Sequence, residues 1–240
     1  MSFVVDLHNH SCLSPCGSLE LSPLVIADIA AKRGIQIMAL TDHNSARNAP
    51  AWDINAREQG IIPMFGLEVT SFEEVHILCI FARPGAAMDF SDQVFEVLPK
   101  MNYNPDMLGD EVVVDEKENI IETLDYYLGM ATDWTFEEVV ARGRAAGAIV
   151  IPSHIDRPAF GAISQLGFLP EGDYDAVEVV RAQTDTGIYT KVQDSDAHQR
   201  ESIGRRNFTL EADSTVLDKD GYINLEVFRG ALHEKKVRFN

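Results

Sequence analysis

The order of short apolar runs constrains the fold of this chain more than any single motif does. "SFVVDL" is a β-branched run of strand length. "SPLVIADIAAKRG" then has helical periodicity, with Ser22 as N-cap, Pro23 at the first helical position and Gly34 as the stop. "IQIMALTDH" reads as a buried strand with a polar end, followed by a helix over 48–59 that closes at Gly60. "IIPMFGLEV" and "EVHILCIFA" are the next two strands. Residues 85–134 break the rhythm with prolines, glycines and a hairpin, "EVVVDEKENIIET", whose turn falls in its polar centre. From Trp134 the alternation resumes. "TFEEVVARGRAAG" is a helix with a capping-box start from Thr135 to Glu138, "AIVIPSH" is a strand, and Pro158 opens a short helix. "YDAVEVVR" and "KVQDSDAH" are strands, and "NFTL", "NLEVFRGALHEK" and "KVRF" give strand, helix, strand. Such β/α alternation predicts a parallel sheet or barrel. There is no internal repeat and no low-complexity linker. The 240 residues, 45% of them apolar, suffice for one core, so the expectation is a single domain over 1–240 with an insertion at about 85–134.

Twenty basic against 38 acidic residues give a net charge of −18. Such a surface repels duplex nucleic acid and anionic lipid at long range. Small anions remain admissible, because charges more than about 10 Å apart are screened and a few cations inside a pocket decide there. The plain reading of the acidity is solubility. No window reaches the roughly 18 apolar residues of a membrane span, and Asp6 interrupts the first apolar stretch too early for a signal peptide. Cys12, Cys16 and Cys79 are too few and too uneven for a disulfide framework. They read as thiols of a reducing cytoplasm, where the protein is expected to reside.

The polar residues fall at particular places on this scaffold. His8 and His10 end the first strand, Asp42 and His43 the second, Glu68 the third; His76 lies within the fourth. His154 ends the strand after the hairpin, and Asp196 and His198 end a later one. In a β/α barrel the C-terminal strand ends form one face, where chemistry concentrates. Period-two geometry puts His8 and His10 on one side of their strand, and likewise Asp196 and His198. A lone histidine at a strand end is usually a hydrogen-bonded structural residue. Here six of seven histidines share one region with Glu68 and Asp196, and only His233, in the last helix, looks ordinary. Burying six imidazoles is costly unless something satisfies their nitrogens, and a metal cluster does so. Mixed imidazole and carboxylate ligation suits zinc, manganese or iron and argues against calcium.

In order along the chain, "DLHNHS", "LTDHN", "GLEVTS", "IPSHIDRP" and "DSDAH" resemble the signature motifs of the PHP (polymerase and histidinol phosphatase) family, from residue 6 to about 204. The resemblance implies a distorted seven-stranded (β/α)7 barrel with two or three divalent transition metals (zinc, manganese or iron) that hydrolyses phosphate esters. It implies His8, His10, Glu68 and Asp196 as ligands of one metal. A bridging Glu68, with His76 and His154, would hold a second, and His43 and His198 a third. One position departs: where many relatives carry aspartate or histidine in the loop after H-x-H, the nearest residue here is Cys16 in "SPCGS". A thiolate there would favour softer metals; the alternative is a small buried residue beside Gly17.

Phosphate ester hydrolysis needs a nucleophile at neutral pH and neutralisation of phosphoryl charge, and two metals about 3.5–4 Å apart supply both. Glu68 and Asp196 are therefore the candidate catalytic carboxylates. Asp6 and Asp42, each before a ligand histidine, are candidates to fix imidazole tautomers, or else surface turn residues. A phosphate also wants an arginine fork, and Arg157 is the best-placed candidate, the alternative being a salt bridge on the rim. Arg181, Arg205 and Arg206 are further candidates. The expected substrate is a small phosphomonoester or a nucleotide, with no duplex nucleic acid or membrane as partner. Two other readings stand beside it: an exonuclease on short oligonucleotides and a non-catalytic metal-binding regulatory module. An amide hydrolase is disfavoured, since no lysine occupies a strand end suited to bridging metals and Lys191 lies before its strand.

Overall fold

A computed structural model describes residues 1–101 and 103–239, apart from the side chain of residue 106. The chain starts with β1 (Ser2–Asp6), α1 (Pro23–Lys32), β2 (Ile37–Leu40), α2 (Ala49–Glu58) and β3 (Ile62–Thr70). The local signals act as expected. Ser22 accepts a hydrogen bond from the Val25 N–H, Pro23 sits in the first turn, and Gly34 and Gly60 end the helices at φ +76. β4 (His76–Phe81) then returns antiparallel against β3.

The insertion holds more structure than its prolines and glycines suggest. α3 (Pro84–Val97), the longest helix, buries Ala87, Phe90, Ser91 and Val94, one face at i, i+3, i+4, i+7. Pro84 and Gly85 mark its first turn rather than an irregular loop. After α4 (Pro105–Leu108) comes the expected hairpin, β5 (Val112–Val114) and β6 (Ile120–Thr123). α5 (Phe136–Ala145) makes both bonds of the Thr135–Glu138 capping box. β7 (Ile149–Pro152) follows. α6 (Ala162–Leu166) starts after Gly161, its N-cap, and not at Pro158, which follows a turn closed by the Arg157 N–H on His154 O at 2.8 Å. A Cβ on Gly161 would lie 2.6–2.9 Å from the carbonyl oxygens of Arg157, His154 and Ile155, so only glycine fits. β8 (Val177–Glu178) and β9 (Lys191–Val192) are two-residue strands, and β10 (Phe208–Glu211), α7 (Leu225–His233) and β11 (Val237–Phe239) end the chain.

The main sheet runs β11-β10-β1-β2-β3-β4-β7, and β8-β9 form a separate parallel pair. β1, β2 and β3 are mutually parallel, whereas β4 is antiparallel to both neighbours. The sheet is thus mixed rather than wholly parallel. Single hydrogen bonds replace ladders across the gap: Ile155 N–H to Glu178 O at 2.9 Å, Asp175 N–H to Val150 O at 2.9 Å, and His10 N–H to Ala197 O at 3.1 Å. The result is a curled half-barrel with α1, α2, α3 and α5 on its outer face and α7 against its inner one, the distorted barrel expected from the motifs. Phe65, Leu67 and Val69 of β3 face the helix layer with Trp52 and Phe90. Met64, Leu78 and Ile80 face inward with Phe208 and Phe228. Glu68 and His76 continue these inward registers, so apolar packing gives way to polar side chains at one end. Among the described residues, no helix is long and apolar enough to cross a membrane.

Candidate metal centre

Five imidazoles surround one carboxylate. Glu68 Oε1 lies 3.0 Å from His76 Nδ1, 3.1 Å from His154 Nε2 and 3.2 Å from His8 Nε2. Glu68 Oε2 lies 3.1 Å from His43 Nδ1 and 3.4 Å from His10 Nε2. Asp196 Oδ1 completes the group at 3.3 Å from His10 Nε2 and 3.5 Å from His8 Nε2, with His198 Nδ1 at 3.4 Å.

Topology explains the convergence. Glu68 does not end β3, which runs on to Thr70, and Thr70 pairs with His76. Because β4 is antiparallel, its first residue lies at the same end of the sheet as the last residues of β3. His43 meets Glu68 through a parallel bridge just beyond β2. His154 follows β7, which runs parallel to β3. Asp196 arrives on the segment after β9, beside the Asn9–Ala197 bridge. His154 and Asp196 hold φ of +28 and +47, unusual for side-chain-bearing residues and typical of functional sites fixed by their surroundings.

Buried polar groups orient the rings. His8 Nδ1 lies 2.9 Å from Glu178 Oε2, which also accepts the His154 N–H at 3.0 Å. With Glu178 as acceptor, Nδ1 is the donor of the neutral ring, whose Nε2 would then be free to face a cation beside Glu68. His10 Nδ1 lies 3.0 Å from Ser14 Oγ, whose hydroxyl donates to Asp42 Oδ1 at 2.7 Å. Asp42 therefore acts on His10 through Ser14 rather than on its neighbour His43. Asp6 touches no ring. It accepts Ser195 Oγ–H at 2.6 Å and Ser195 N–H at 3.1 Å, tying β1 to the segment that carries Asp196. Both aspartates are buried, which rules out the surface-turn alternative. Glu178, Ser14 and Asp194, the last accepting the Leu7 N–H at 2.5 Å, were not singled out from the sequence. The available signal for Glu178 was an acid inside the apolar run "AVEVV".

Other expected residues lie at the rim. Cys16 shares a cavity of about 250 Å³ with His43, His76, His198, Tyr127, Arg157 and Phe160. It is exposed rather than a small buried residue, and its thiol lies outside the three groups of donor atoms that sit mutually within 4.8 Å. These are His8/His10/Glu68/Asp196, His43/Glu68/His76 and His10/His43/His198. His43 joins Glu68 and His76 in one of these groups, while His154, expected beside the same pair, approaches the Glu68 oxygen that faces His76, at 3.1 Å, from outside them. Arg157 donates to Asp196 Oδ2 at 2.6 Å and to Ala159 O at 3.0 Å. Arg181 pairs with Asp156 at 3.3 Å, and Arg205 is exposed and does not line the Cys16 cavity. Lys191 opens β9 rather than preceding it and donates to Ala182 O. His233 bonds Asp175 at 3.0 Å, an ordinary structural role.

Charge in the pocket is strongly coupled. Burial raises the Glu68 carboxyl, but His76 and His8 outweigh it and hold the group well below the usual carboxylate range. Asp196 behaves likewise: burial pushes it up and His8 and His10 bring it well below. Burial and neighbouring His10 push His43 well down, and the same two causes lower His198 to about 4. Desolvation at the mouth, then Glu68, raises the Cys16 thiol to about 12 despite the residue's overall exposure.

Several buried atoms find no hydrogen-bond partner: His43 Nδ1, His76 Nδ1, His154 Nδ1, Glu68 Oε2 and Asp196 Oδ1. Orphaned donors and acceptors inside a core are costly, and a cation held between imidazole nitrogens and carboxylate oxygens satisfies several at once. The donor set thus fits divalent transition metals.

The family model of the PHP domain matches residues 6–214. Among solved structures, the chain is similar to the lesion-specific endonuclease Q of Pyrococcus furiosus, with a TM-score of 0.67 at 17% identity over 100% of this chain and 58% of that one. Endonuclease Q bound to a 27-mer duplex with an abasic lesion at its active site gives 0.67 at 18% identity, covering 98% of this chain and 57% of that. A Bifidobacterium adolescentis protein assigned as a metal-dependent phosphoesterase gives 0.57 at 16% identity, covering 95% of each chain. The chain thus spans less than three-fifths of the endonuclease Q length. At these identities the likeness is one of fold. No curated protein matches the sequence.

Proposed function

Because this chain belongs to the PHP domain family, we propose that it is a metal-dependent phosphoesterase acting on a small phosphomonoester or nucleotide. The observation that carries this reading is the Glu68 carboxylate with five imidazoles within 3.4 Å and Asp196 alongside. His8, His10, Glu68 and Asp196 would hold one ion, and Glu68 with His43 and His76 a second, with His154 at hand. His10, His43 and His198 would hold a third, with Cys16 at its mouth. Bound there, such ions supply the Lewis acidity that lowers the pKa of water and neutralises phosphoryl charge.

The chain's own residues do the rest. Glu178 and the Ser14–Asp42 pair fix His8 and His10 with their Nε2 atoms inward. Arg157, anchored at Asp196 and Ala159, keeps further N–H groups for the oxygens of a phosphate entering beside it. Tyr127 and Phe160, the latter stacked on His76 at 4.4 Å, wall one side of the entrance. Small size and modest negative charge in the substrate are consistent with rim cavities of about 250 and 390 Å³ and with the acidic surface.

The likeness to endonuclease Q supports a second reading, cleavage of nucleic acid, and the net charge of −18 opposes it. One panel decides: phosphomonoesters, nucleotides, short oligonucleotides and duplex DNA with an abasic site, each with zinc, manganese or iron. Turnover of a monoester or nucleotide, with the duplex left intact, is the expected result. Turnover confined to DNA would overturn the substrate assignment. No turnover of any phosphoester with any metal would overturn the enzymatic one.

A further inference from the structure

Thr70 closes β3, and its backbone is fully engaged. The N–H donates to Asn44 Oδ1 at 3.0 Å, and the carbonyl accepts the N–H and the hydroxyl of Thr132 at 2.9 and 2.8 Å. Asn44 follows His43 and donates in turn to Leu128 O and Met130 O. The residue is therefore fixed from two sides, by the loop after β2 and by the end of the insertion.

Its hydroxyl is not engaged. Thr70 is 2% exposed, yet among the described residues Oγ1 finds no hydrogen-bond partner. Burying a hydroxyl unpaired is unfavourable, and the strand does not require one, since valine offers the same β-branched shape without it. Side chains alternate along a strand, so Thr70 projects on the face of Glu68, two residues before it, while Val69 between them packs with the helix layer. Thr70 pairs with His76 in the β3–β4 register and lines the mouth cavity of about 250 Å³ with His43, His76 and Arg157. The uncompensated hydroxyl thus stands at the entrance to the metal centre. Zinc, manganese and iron select imidazole and carboxylate over a neutral hydroxyl, so the ions that would satisfy Glu68, His43 and His76 leave Oγ1 unanswered.

We infer that Thr70 is a substrate-binding residue: its hydroxyl donates to an oxygen of the phosphoryl group that enters this cavity. This rests on the phosphoesterase reading and deepens it by a second contact to the phosphate besides Arg157. Arg157 supplies a cation from the rim, and Thr70 a neutral donor from the strand that carries Glu68. A hydrogen bond from a hydroxyl to a charged oxygen is stronger than one between neutral groups, and here it forms only when substrate arrives. The empty fold gives up stability at this position, and binding recovers it.

Thr70→Val tests this, because it removes the hydroxyl and keeps the shape. Three quantities are compared with the wild type: metal content, melting temperature without phosphate, and the calorimetric affinity of the metal-loaded protein for inorganic phosphate. Metal content should be unchanged and the melting temperature equal or higher, since the variant buries no orphaned group. Phosphate affinity should fall by about tenfold or more, and KM for a phosphomonoester should rise in parallel. Thr70→Ser keeps a hydroxyl and should stay within about threefold of the wild type. A lower melting temperature or lost metal in Thr70→Val would make the hydroxyl structural and overturn the assignment. Unchanged phosphate affinity overturns it as well and leaves the phosphoesterase reading intact; a fall in kcat with that unchanged affinity would place the hydroxyl on the attacking water instead. Phosphate binding that is weaker in Thr70→Val but not in Thr70→Ser, with no turnover of any phosphoester by the wild type, supports the contact and overturns the phosphoesterase reading. A metal-loaded wild type that binds no phosphate at millimolar concentration overturns both.

Discussion

Glu68 and Asp196 share the same imidazoles but are held by different means. Glu68 lies inside a nine-residue strand with a neighbour on each side, and Leu78 sits opposite it in the β3–β4 register. Asp196 lies past a two-residue strand, at φ +47, with only the Asn9–Ala197 bridge beside it. On the first side, backbone ladders set where His43, Glu68 and His76 stand. On the second, side-chain carboxylates substitute for the ladder: Asp6 holds Ser195, Asp194 holds Leu7, Asp156 holds Val180 and Arg181, and Glu178 holds His154. A ladder distributes positioning over many bonds. A carboxylate concentrates it in one residue, so the second side should be far easier to disrupt by substituting residues that touch no metal.

The largest effect is expected at the residue both sides face. Glu68→Gln keeps shape and removes the charge that opposes five imidazoles. Removing one partner of a buried charged group costs about 3–5 kcal/mol, so metal affinity and kcat/KM should each fall by at least about 100-fold. Elemental analysis and steady-state kinetics check this, and wild-type metal content with wild-type turnover would refute the shared role. Next comes Glu178→Gln, which touches only the orienting layer of the irregular side. A 10- to 100-fold loss in metal affinity is expected by competition with a chromogenic chelator, since orienting partners of ligand histidines typically carry about that much. A change below threefold would mean that the backbone alone holds His8 and His154.

The same contrast explains what the sequence made legible. The ladder side was readable from apolar periodicity, because "IQIMALTDH", "IIPMFGLEV" and "EVHILCIFA" each carry both the strand signal and the ligand. The antiparallel turn of β4 was not, since periodicity is silent on direction, and neither was α3, whose Pro84–Gly85 start read as a breaker. On the other side, β8 and β9 are too short for a periodic signal, and "SHIDRP" and "DSDAH" were legible only as motifs. Glu178 and Asp194 escaped because an orienting acid differs from a solvated one only in burial, which depends on tertiary contacts. For the same reason Asp6 and Asp42 stood out as candidate orienting acids, while their partners, Ser195 for the first and Ser14 for the second, did not.

Ser195→Ala sharpens the comparison at lower amplitude. It removes the hydroxyl that donates to Asp6 at 2.6 Å and accepts the Arg206 N–H at 3.4 Å, and Asp6, raised to about 6 by burial against the opposing Ser195 hydrogen bonds, loses its strongest donor. A hydrogen bond to a charged group contributes about 1.5–3 kcal/mol, so denaturant unfolding should show a loss in that range. A loss below about 0.5 kcal/mol would show that the tie is not what holds this segment.

The smallest effect separates the centre from the insertion. Glu111, buried in the insertion and accepting the Leu128 N–H at 3.1 Å, is pushed by burial from 4.5 to about 8. The folded state therefore holds a proton that the unfolded chain releases near 4.5. This stability is fully present below that value and is lost as pH rises through 8. Between pH 7 and 9 the loss is about 1 kcal/mol, which Glu111→Gln should abolish, flattening the melting temperature over that window. Equal pH dependence in both proteins would show that Glu111 is ionised in the fold.

The most direct test of the central claim is the number of transition-metal ions in protein purified without chelators. Two or more ions per chain are predicted, since three overlapping groups of donor atoms share Glu68, His10 and His43. Fewer than one ion per chain, in protein that remains folded, would contradict it.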